Sequence, residues 1–286
     1  MDLTEHGKKM AKFPLDPTFA HLLLQSPKYG CIKEMLSAVA MLSTENVFYL
    51  PGGGNEDIGK SAAAAKAADC HRRFKSYEGD LPTLLAVYQS WQREAIYIPS
   101  SAGGRKAQKK QLKAEIGAKG GKSGVSARIL HGDWCNRNFI SGRSLTRAYD
   151  IRKQIEDICS RPSESNGLGW DVGLSCGTEL ETFLKCACAG LFLKVATRIP
   201  SSNETKRDSK AGKSSASSFS TRRYRTTIGG QEVFIHPTSS LFGRNPAPKS
   251  VVFTELLITK KTYIRGVTQI KEDWLPEVAP HLFARS

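Results

Sequence analysis

The hydrophobic pattern of this chain changes period near its last third, and that change constrains the fold more than any other feature. Up to about residue 196 apolar residues recur every three to four positions; beyond Arg223 they fall in short β-branched and aromatic runs separated by turn residues, the mark of strands. A period near 3.6 builds amphipathic helices, whereas a period of 2 builds strands with one buried face, so the two parts must fold by different rules.

In the helical part, Ile32, Met35, Leu36, Val39 and Leu42 share one face, and Ser26-Pro27 interrupts the pattern, which predicts a helical hairpin over 18–43. Ala62 to Phe74 reads as helix, and Leu84, Leu85, Tyr88 and Trp91 form another stripe. From Ser144 to Cys159 a longer helix places Leu145, Ala148, Ile151, Ile155 and Ile158 on one side and Arg143, Arg147, Asp150 and Gln154 on the other. Arg152 falls on the apolar side, where a structural ion pair is the expected fate. Thr178 to Ala196 reads as one more apolar helix. The strand part carries "QEVFIHP", "SVVFTELLITK" and "TYIRGVTQI", separated by Gly229-Gly230, "GRNPAPK" and Lys260-Lys261. That spacing suits a small barrel or sheet of roughly 65 residues, closed by "DWLPEVAPHLF", a short helix that stops at Pro280.

Charge is unevenly spread. The net charge is +15, and residues 96–130 hold eight Lys/Arg against one Glu, while 197–225 hold eight against one Glu and one Asp. Both stretches are rich in Gly, Ser and Lys and read as flexible. Such segments attract polyanions by neutralising phosphates without reading sequence. A solvated loop or a nuclear-import signal is the plainer reading of either.

Several function classes are unsupported. The seven cysteines form no C-x-x-C pair, and Cys186-Ala-Cys188 is neither a zinc knuckle nor a redox motif, so a reducing compartment and no metal site are expected. The N-terminal "MDLTEHGKKMAKFPLDP" lacks the apolar core of a signal peptide, and the run Cys186 to Leu193 is too short to span a bilayer. His21, His236 and Ser239 come in no arrangement of nucleophile, base and orienting carboxylate, so no catalytic residue is assigned. Gly54-Asn-Glu-Asp-Ile-Gly59-Lys60-Ser61 satisfies the phosphate-loop pattern G-x-x-x-x-G-K-[ST]. A working phosphate loop needs a parallel sheet behind it and a downstream carboxylate for magnesium; the neighbours here are helical, so the stretch reads as a glycine-rich loop.

The order of segments resembles the C-terminal accessory region of DEAH-box RNA helicases. "LTEHGKKMAKFPLDPTFAHLLLQSPKYGCIKEMLSAVAMLSTENVFYLP" is similar to the end of that family's winged-helix domain and the start of its helical ratchet bundle. "EGDLPTLLAVYQSW" and "WCNRNFISGRSLTRAYDIRKQI" resemble later parts of the bundle, and "KCACAGLFLKVA", "YRTTIGGQEVFIHPTSSLF" and "FTELLITKKTYIRGVTQIKEDWLPEVAPHLF" resemble the last helix and an OB-fold. Leu81-Pro82 departs from the family's common His-Leu after Gly-Asp.

The resemblance implies an α+β chain: a winged-helix remnant at 1–17, a ratchet bundle at 18–198 with the basic insert 96–130, a linker at 199–221 and an OB-fold β-barrel at 222–286. It implies single-stranded RNA as partner, held through its backbone by Asn138, Arg143 and Arg147 from the ratchet and by Arg225, His236, Ser239 and Ser240 from the OB-fold. ATP and magnesium would belong to RecA-like domains whose GKT and DEAH motifs have no counterpart here, which leaves no cofactor for this chain and suggests a fragment, a truncated gene product or a divergent short protein. Two other readings stay open: part of an active ATP-dependent helicase with its RecA domains upstream or supplied in trans, and an interaction module for G-patch-type activators. A nuclear or nucleolar location is expected, with the cytoplasm as alternative.

Overall fold

The computed structural model describes residues 2–51, 62–118, 128–200 and 222–283. Gly54–Ser61 and most of the Ser/Lys-rich linker lie outside the described residues. Among the described residues nine α-helices lead: α1 (Glu5–Met10), α2 (Pro17–Gln25), α3 (Ile32–Leu42), α4 (Ala62–Arg72), α5 (Asp80–Glu94), α6 (Gly104–Ala118), α7 (His131–Asn138), α8 (Gly142–Ser160) and α9 (Leu180–Gly190). Among them a two-residue parallel pair, β1 (Ala95–Ile96) and β2 (Ile129–Leu130), brackets α6. Strands β3 (Val195–Arg198), β4 (Tyr224–Thr226), β5 (Glu232–Ile235), β6 (Ser250–Val252), β7 (Glu255–Ile258), β8 (Thr262–Arg265) and β9 (Thr268–Ile270) follow, then α10 (Trp274–Val278) and α11 (Pro280–Phe283). The strands join in the order β7-β8-β5-β4-β3-β6-β9.

Local chemistry sets the helix boundaries. Asp16 caps α2 by accepting from the Thr18 N–H at 2.8 Å, with Pro17 in the first turn, where its missing N–H costs nothing. Ser141 caps α8 in the same way, accepting from Ser144. Arg152 is mostly buried, paired with Glu156 at 2.7 Å and donating to Ser37 Oγ, so it does serve as a structural ion pair.

Two expectations need correction. The first basic stretch is not simply flexible: α6 occupies its front half, anchored where Gln108 Nε2 donates to the Ile98 carbonyl at 3.0 Å. Ala107, Gln108, Gln111 and Leu112 recur at helical spacing and give it a packing face that the lysine-rich composition conceals. The last bundle helix ends at Gly190 and not at Ala196. Val195, Ala196 and Thr197 instead form β3, antiparallel to both β4 and β6, so the sheet begins ahead of the linker. A four-residue strand is too short for its period to stand out beside an apolar helix.

β6 to β9 behave as one long hairpin. Val252 opposes Thr268 and Glu255 opposes Arg265, so the register runs unbroken through a bend at Phe253-Thr254 and Gly266-Val267. Gly266 sits at φ +60° under Thr254, and a Cβ there would collide with the threonine hydroxyl. Glycine at this corner is what lets the strand pair turn.

Bundle and sheet share one core. Leu22, Leu23, Ile32, Leu36, Phe183 and Ala187 pack in the same cluster as Val252, Ile270, Trp274 and Leu275. A second cluster around Tyr88, Trp91 and Trp134 holds α5, α7, α8 and the end of α3, with Phe74 from the turn after α4, and a third fills the inside of the sheet around Tyr224, Val251 and Ile264.

The polar junction lies at the start of α5. Gly79 bridges Thr268, the Asp80 N–H donates to the Val267 carbonyl at 2.8 Å, and the Gln269 N–H donates to Glu78 at 2.7 Å. The Asp80 carboxylate accepts from the Ser240 N–H and hydroxyl at 2.7 and 2.8 Å on one oxygen, and from the Val267 N–H at 2.7 Å on the other. Nearby, Arg244 stacks on Tyr77 and donates to its carbonyl. Leu81, where the sequence departs from the family, is fully buried, and Pro82 falls in the first turn of α5, where a proline is tolerated.

Two stability outcomes follow from this geometry. Asp80→Ala strands two backbone N–H groups and a hydroxyl in a buried position and should lower unfolding stability by about 3 kcal/mol in urea titrations. Gly266→Ala meets both a positive φ and a collision with Thr254, and should cost about 2–4 kcal/mol by the same measurement, with wild-type stability in that variant refuting the corner assignment.

Candidate nucleic-acid interface

Between the bundle and the bent hairpin runs a groove of about 700 Å³. Its bundle wall comes from the start of α2 (Asp16, Phe19), the turn after α3 (Thr44, Glu45, Asn46, Phe48) and the start of α5 (Thr83, Leu84). The facing wall is the hairpin corner, Phe253 to Leu256 with Arg265 and Gly266, together with Thr238. Lys194 straps the two walls together, donating to the Thr254 carbonyl at 2.8 Å and to Thr18 Oγ1 at 3.2 Å. A second hollow of about 600 Å³ shares Asp16, Phe19, Leu42, Thr44 and Glu45 and extends to Arg147 and Ile151 on α8. The two form one trough, with Arg147 near one end and Arg265 near the other.

The charge along it is mixed. Asp16, Glu45 and Glu255 line the same walls as Lys194 and Arg265, and Arg265 pairs with Glu255 at 3.4 Å. Asp80 borders the groove but its oxygens are occupied by donors. Burial pushes its carboxyl up, while the bonds from Ser240, Ser239 and Val267 pull it back. With three donors from Ser240 and Val267 it serves a structural role at the junction. Burial lowers the pKa of His236, helped by the Arg265 charge, so the imidazole favours its neutral form.

The seven residues singled out from sequence divide clearly. Arg143 and Arg147 stand exposed one turn apart on the same side of α8, and Arg147 lines the trough. His236 lies beside it, with Nδ1 at 2.8 Å from Thr238 Oγ1 and its ring edge-on to Tyr263. Ser240 is spent on Asp80. Ser239 is buried, its hydroxyl accepting from the Leu241 N–H. Asn138 is buried too, its amide donating to the Trp134 carbonyl at 2.8 Å, which caps the end of α7. Arg225 projects from the exposed side of β4, opposite Thr197 and Glu232, apart from the trough lining.

Sequence reasoning missed Lys194, Thr238 and Arg265. Arg265 follows buried Ile264 in the alternation of β8, which marks it as outward-facing but not as groove-facing. Only the bend at Gly266 turns it toward the bundle.

Among the described residues no group of three or more His, Cys, Asp or Glu is arranged to hold a metal, and no helix is long and apolar enough to cross a membrane. Burial pushes the Cys135 and Cys159 thiols up to about 12, which makes them packing residues and not nucleophiles.

Comparison with known proteins agrees with this architecture. A family model described as "Helicase associated domain (HA2), ratchet-like" matches residues 16–84, and one described as "Oligonucleotide/oligosaccharide-binding (OB)-fold" matches 183–282. The second match starts within α9, consistent with a sheet that begins at β3. The chain is 31% identical over 285 residues to ATP-dependent RNA helicase DHX33 of Homo sapiens, and 32% identical over 277 residues to the pre-mRNA-splicing factor ATP-dependent RNA helicase DEAH10 of Arabidopsis thaliana. It is 29% identical over 281 residues to the pre-mRNA-splicing factor ATP-dependent RNA helicase prp22 of Schizosaccharomyces pombe. The chain corresponds to the C-terminal region of DEAH-box RNA helicases. The part it shares is the helicase-associated and OB-fold region: the matches cover 97–100% of this chain but only 30%, 30% and 18% of those three relatives.

If the trough depends on the Lys194 strap, Lys194→Met should loosen the hairpin corner from α2. Amide exchange at Phe253 and Thr254 should speed up about tenfold, the change expected for ~1.4 kcal/mol of lost local stability. Unchanged exchange would show that the shared core alone sets the groove width.

Proposed function

We propose that this chain is an RNA-binding accessory module of a DEAH-box helicase and that single-stranded RNA lies in the trough between the bundle and the bent hairpin. The observation that carries the reading is the trough itself, formed by the two family domains together and flanked by Arg147 and Arg265. An arginine near each end suits phosphates, because guanidinium groups bond phosphate oxygens in pairs. Between them, carboxylates, Asn46, Thr44 and Thr238 offer acceptors and hydroxyls better suited to sugar 2′-OH groups and base edges than to phosphate. Phe19, Phe48 and Phe253 supply apolar surface along the walls.

Three relatives are named as ATP-dependent RNA helicases, and this supports RNA as the ligand class. We assign ATP turnover, with its magnesium, to parts of such proteins beyond the shared region, and the glycine-rich stretch 54–61 to no nucleotide. Two of those relatives carry the name of pre-mRNA-splicing factors, which favours a nuclear setting for this one.

Fluorescence anisotropy with single-stranded homopolymers tests the site. Arg147→Ala and Arg265→Ala should each weaken binding about fivefold to tenfold, ~1–1.4 kcal/mol, and to a similar extent for every base. Arg225→Ala should cost less than either. Full affinity in both trough variants, with circular dichroism unchanged, would move the RNA elsewhere.

A further inference from the structure

α6 presents a surface that the trough does not explain. At about 100° per residue, Arg105, Lys106, Lys109, Lys110 and Lys113 occupy a continuous arc of about 140°, while Ala107, Gln108, Gln111 and Leu112 occupy the opposite side. The structure exposes all five cations and tucks the opposite side against the protein. Among the described residues none of the five pairs with a carboxylate. Over the eight-residue interval from Arg105 to Lys113 the row is about 12 Å long at 1.5 Å per residue.

The helix is held in place rather than trailing from a tether. Pro99 leads into a short 3-10 turn, Ser100–Ala102, closed by Gly103 in the left-handed region at φ +96°, and Gln108 is pinned to Ile98. Those contacts follow directly on β1, at the end of α5 remote from Asp80. α5 is 15 residues long, which puts that end about 22 Å from Asp80 along the helix axis.

We propose that the exposed face of α6 is a second, sequence-independent RNA contact that engages phosphates of a strand extending beyond the trough. It rests on the assignment of RNA to the trough for its ligand class, but not for its own chemistry. The described exposed side carries cations and no aromatic ring. It can therefore neutralise phosphates but cannot stack bases, the other component of single-strand recognition. A membrane surface is the less favoured occupant, because an interfacial helix needs an apolar face to bury in lipid and, among the described side chains of α6, the apolar ones lie on the inward side or are a single alanine. At the ~3.4 Å per nucleotide of a stacked strand, the length of α5 from Asp80 corresponds to about seven nucleotides.

Strand length is therefore the discriminating variable. The full chain and a Lys106→Gln/Lys109→Gln/Lys110→Gln/Lys113→Gln variant, which keeps good helix formers, would be titrated with RNA homopolymers of about 6 and about 20 nucleotides across a salt series. For the longer RNA the variant should bind at least about tenfold more weakly at low salt. Its log–log salt slope should flatten by about 2–3, at ~0.7 per lost single-strand phosphate contact. The shorter RNA should be held equally by both proteins.

An unchanged slope with the longer RNA, or equal losses on both lengths, would overturn the proposal. So would a variant that loses anionic phosphatidylserine vesicles while retaining long RNA. Arg147→Ala with Arg265→Ala, measured on the shorter RNA, separately tests the trough. Failure there alongside a length-dependent loss in the lysine variant would leave the α6 contact standing.

Discussion

A single half-buried carboxylate organises the junction on which the trough depends. Asp80 is the first residue of α5, where the unpaired N–H groups at a helix start favour negative charge, and its oxygens take three further donors from two segments of the OB-fold. Burying a carboxylate without partners is prohibitively costly, so the arrangement holds only when the Ser240 turn and the β9 edge are both in place. Each wall of the trough starts from that point: α5 and the α3 turn on one side, the Thr238 loop and the hairpin corner on the other.

The trough is consequently defined by backbone geometry more than by its side chains. Gly266 permits the strand pair to bend, and Gly79 permits the start of α5 to lie against β9, where a Cβ would strike the Val267 carbonyl. Two glycines, each at positive φ, thus set the angle and the approach between bundle and sheet. Their neighbours Arg265 and Asp80 are then placed without strain of their own.

Most of the fold was legible in sequence because the periodic signal was strong. The hairpin of α2 and α3, the amphipathic α8, the strands after Arg223 and the ion-pair role of Arg152 all follow from hydrophobic spacing. α6 was obscured because its packing face relies on Ala, Gln and a single Leu, which hydropathy scarcely separates from the lysines around them. β3 was obscured because it continues an apolar helix after only a few residues. At the site, exposure was the property that sequence conveyed best: Arg143 and Arg147 are outward, as the wheel requires. What spacing cannot convey is which polar groups are already occupied. Asn138, Ser239 and Ser240 have side chains suited to RNA, yet each is committed to a helix end, a turn or Asp80, partners that only the folded chain brings near.

The shared core has a consequence for how the chain is made. The cluster that buries Leu22 and Ile32 includes Ile270, Trp274 and Leu275, synthesised more than two hundred residues after them. Contacts of such sequence separation form only after the intervening chain is present, and until then apolar surface stays open to other partners. During synthesis the first helical hairpin must therefore wait, with one face uncovered, for a β-hairpin made more than two hundred residues later.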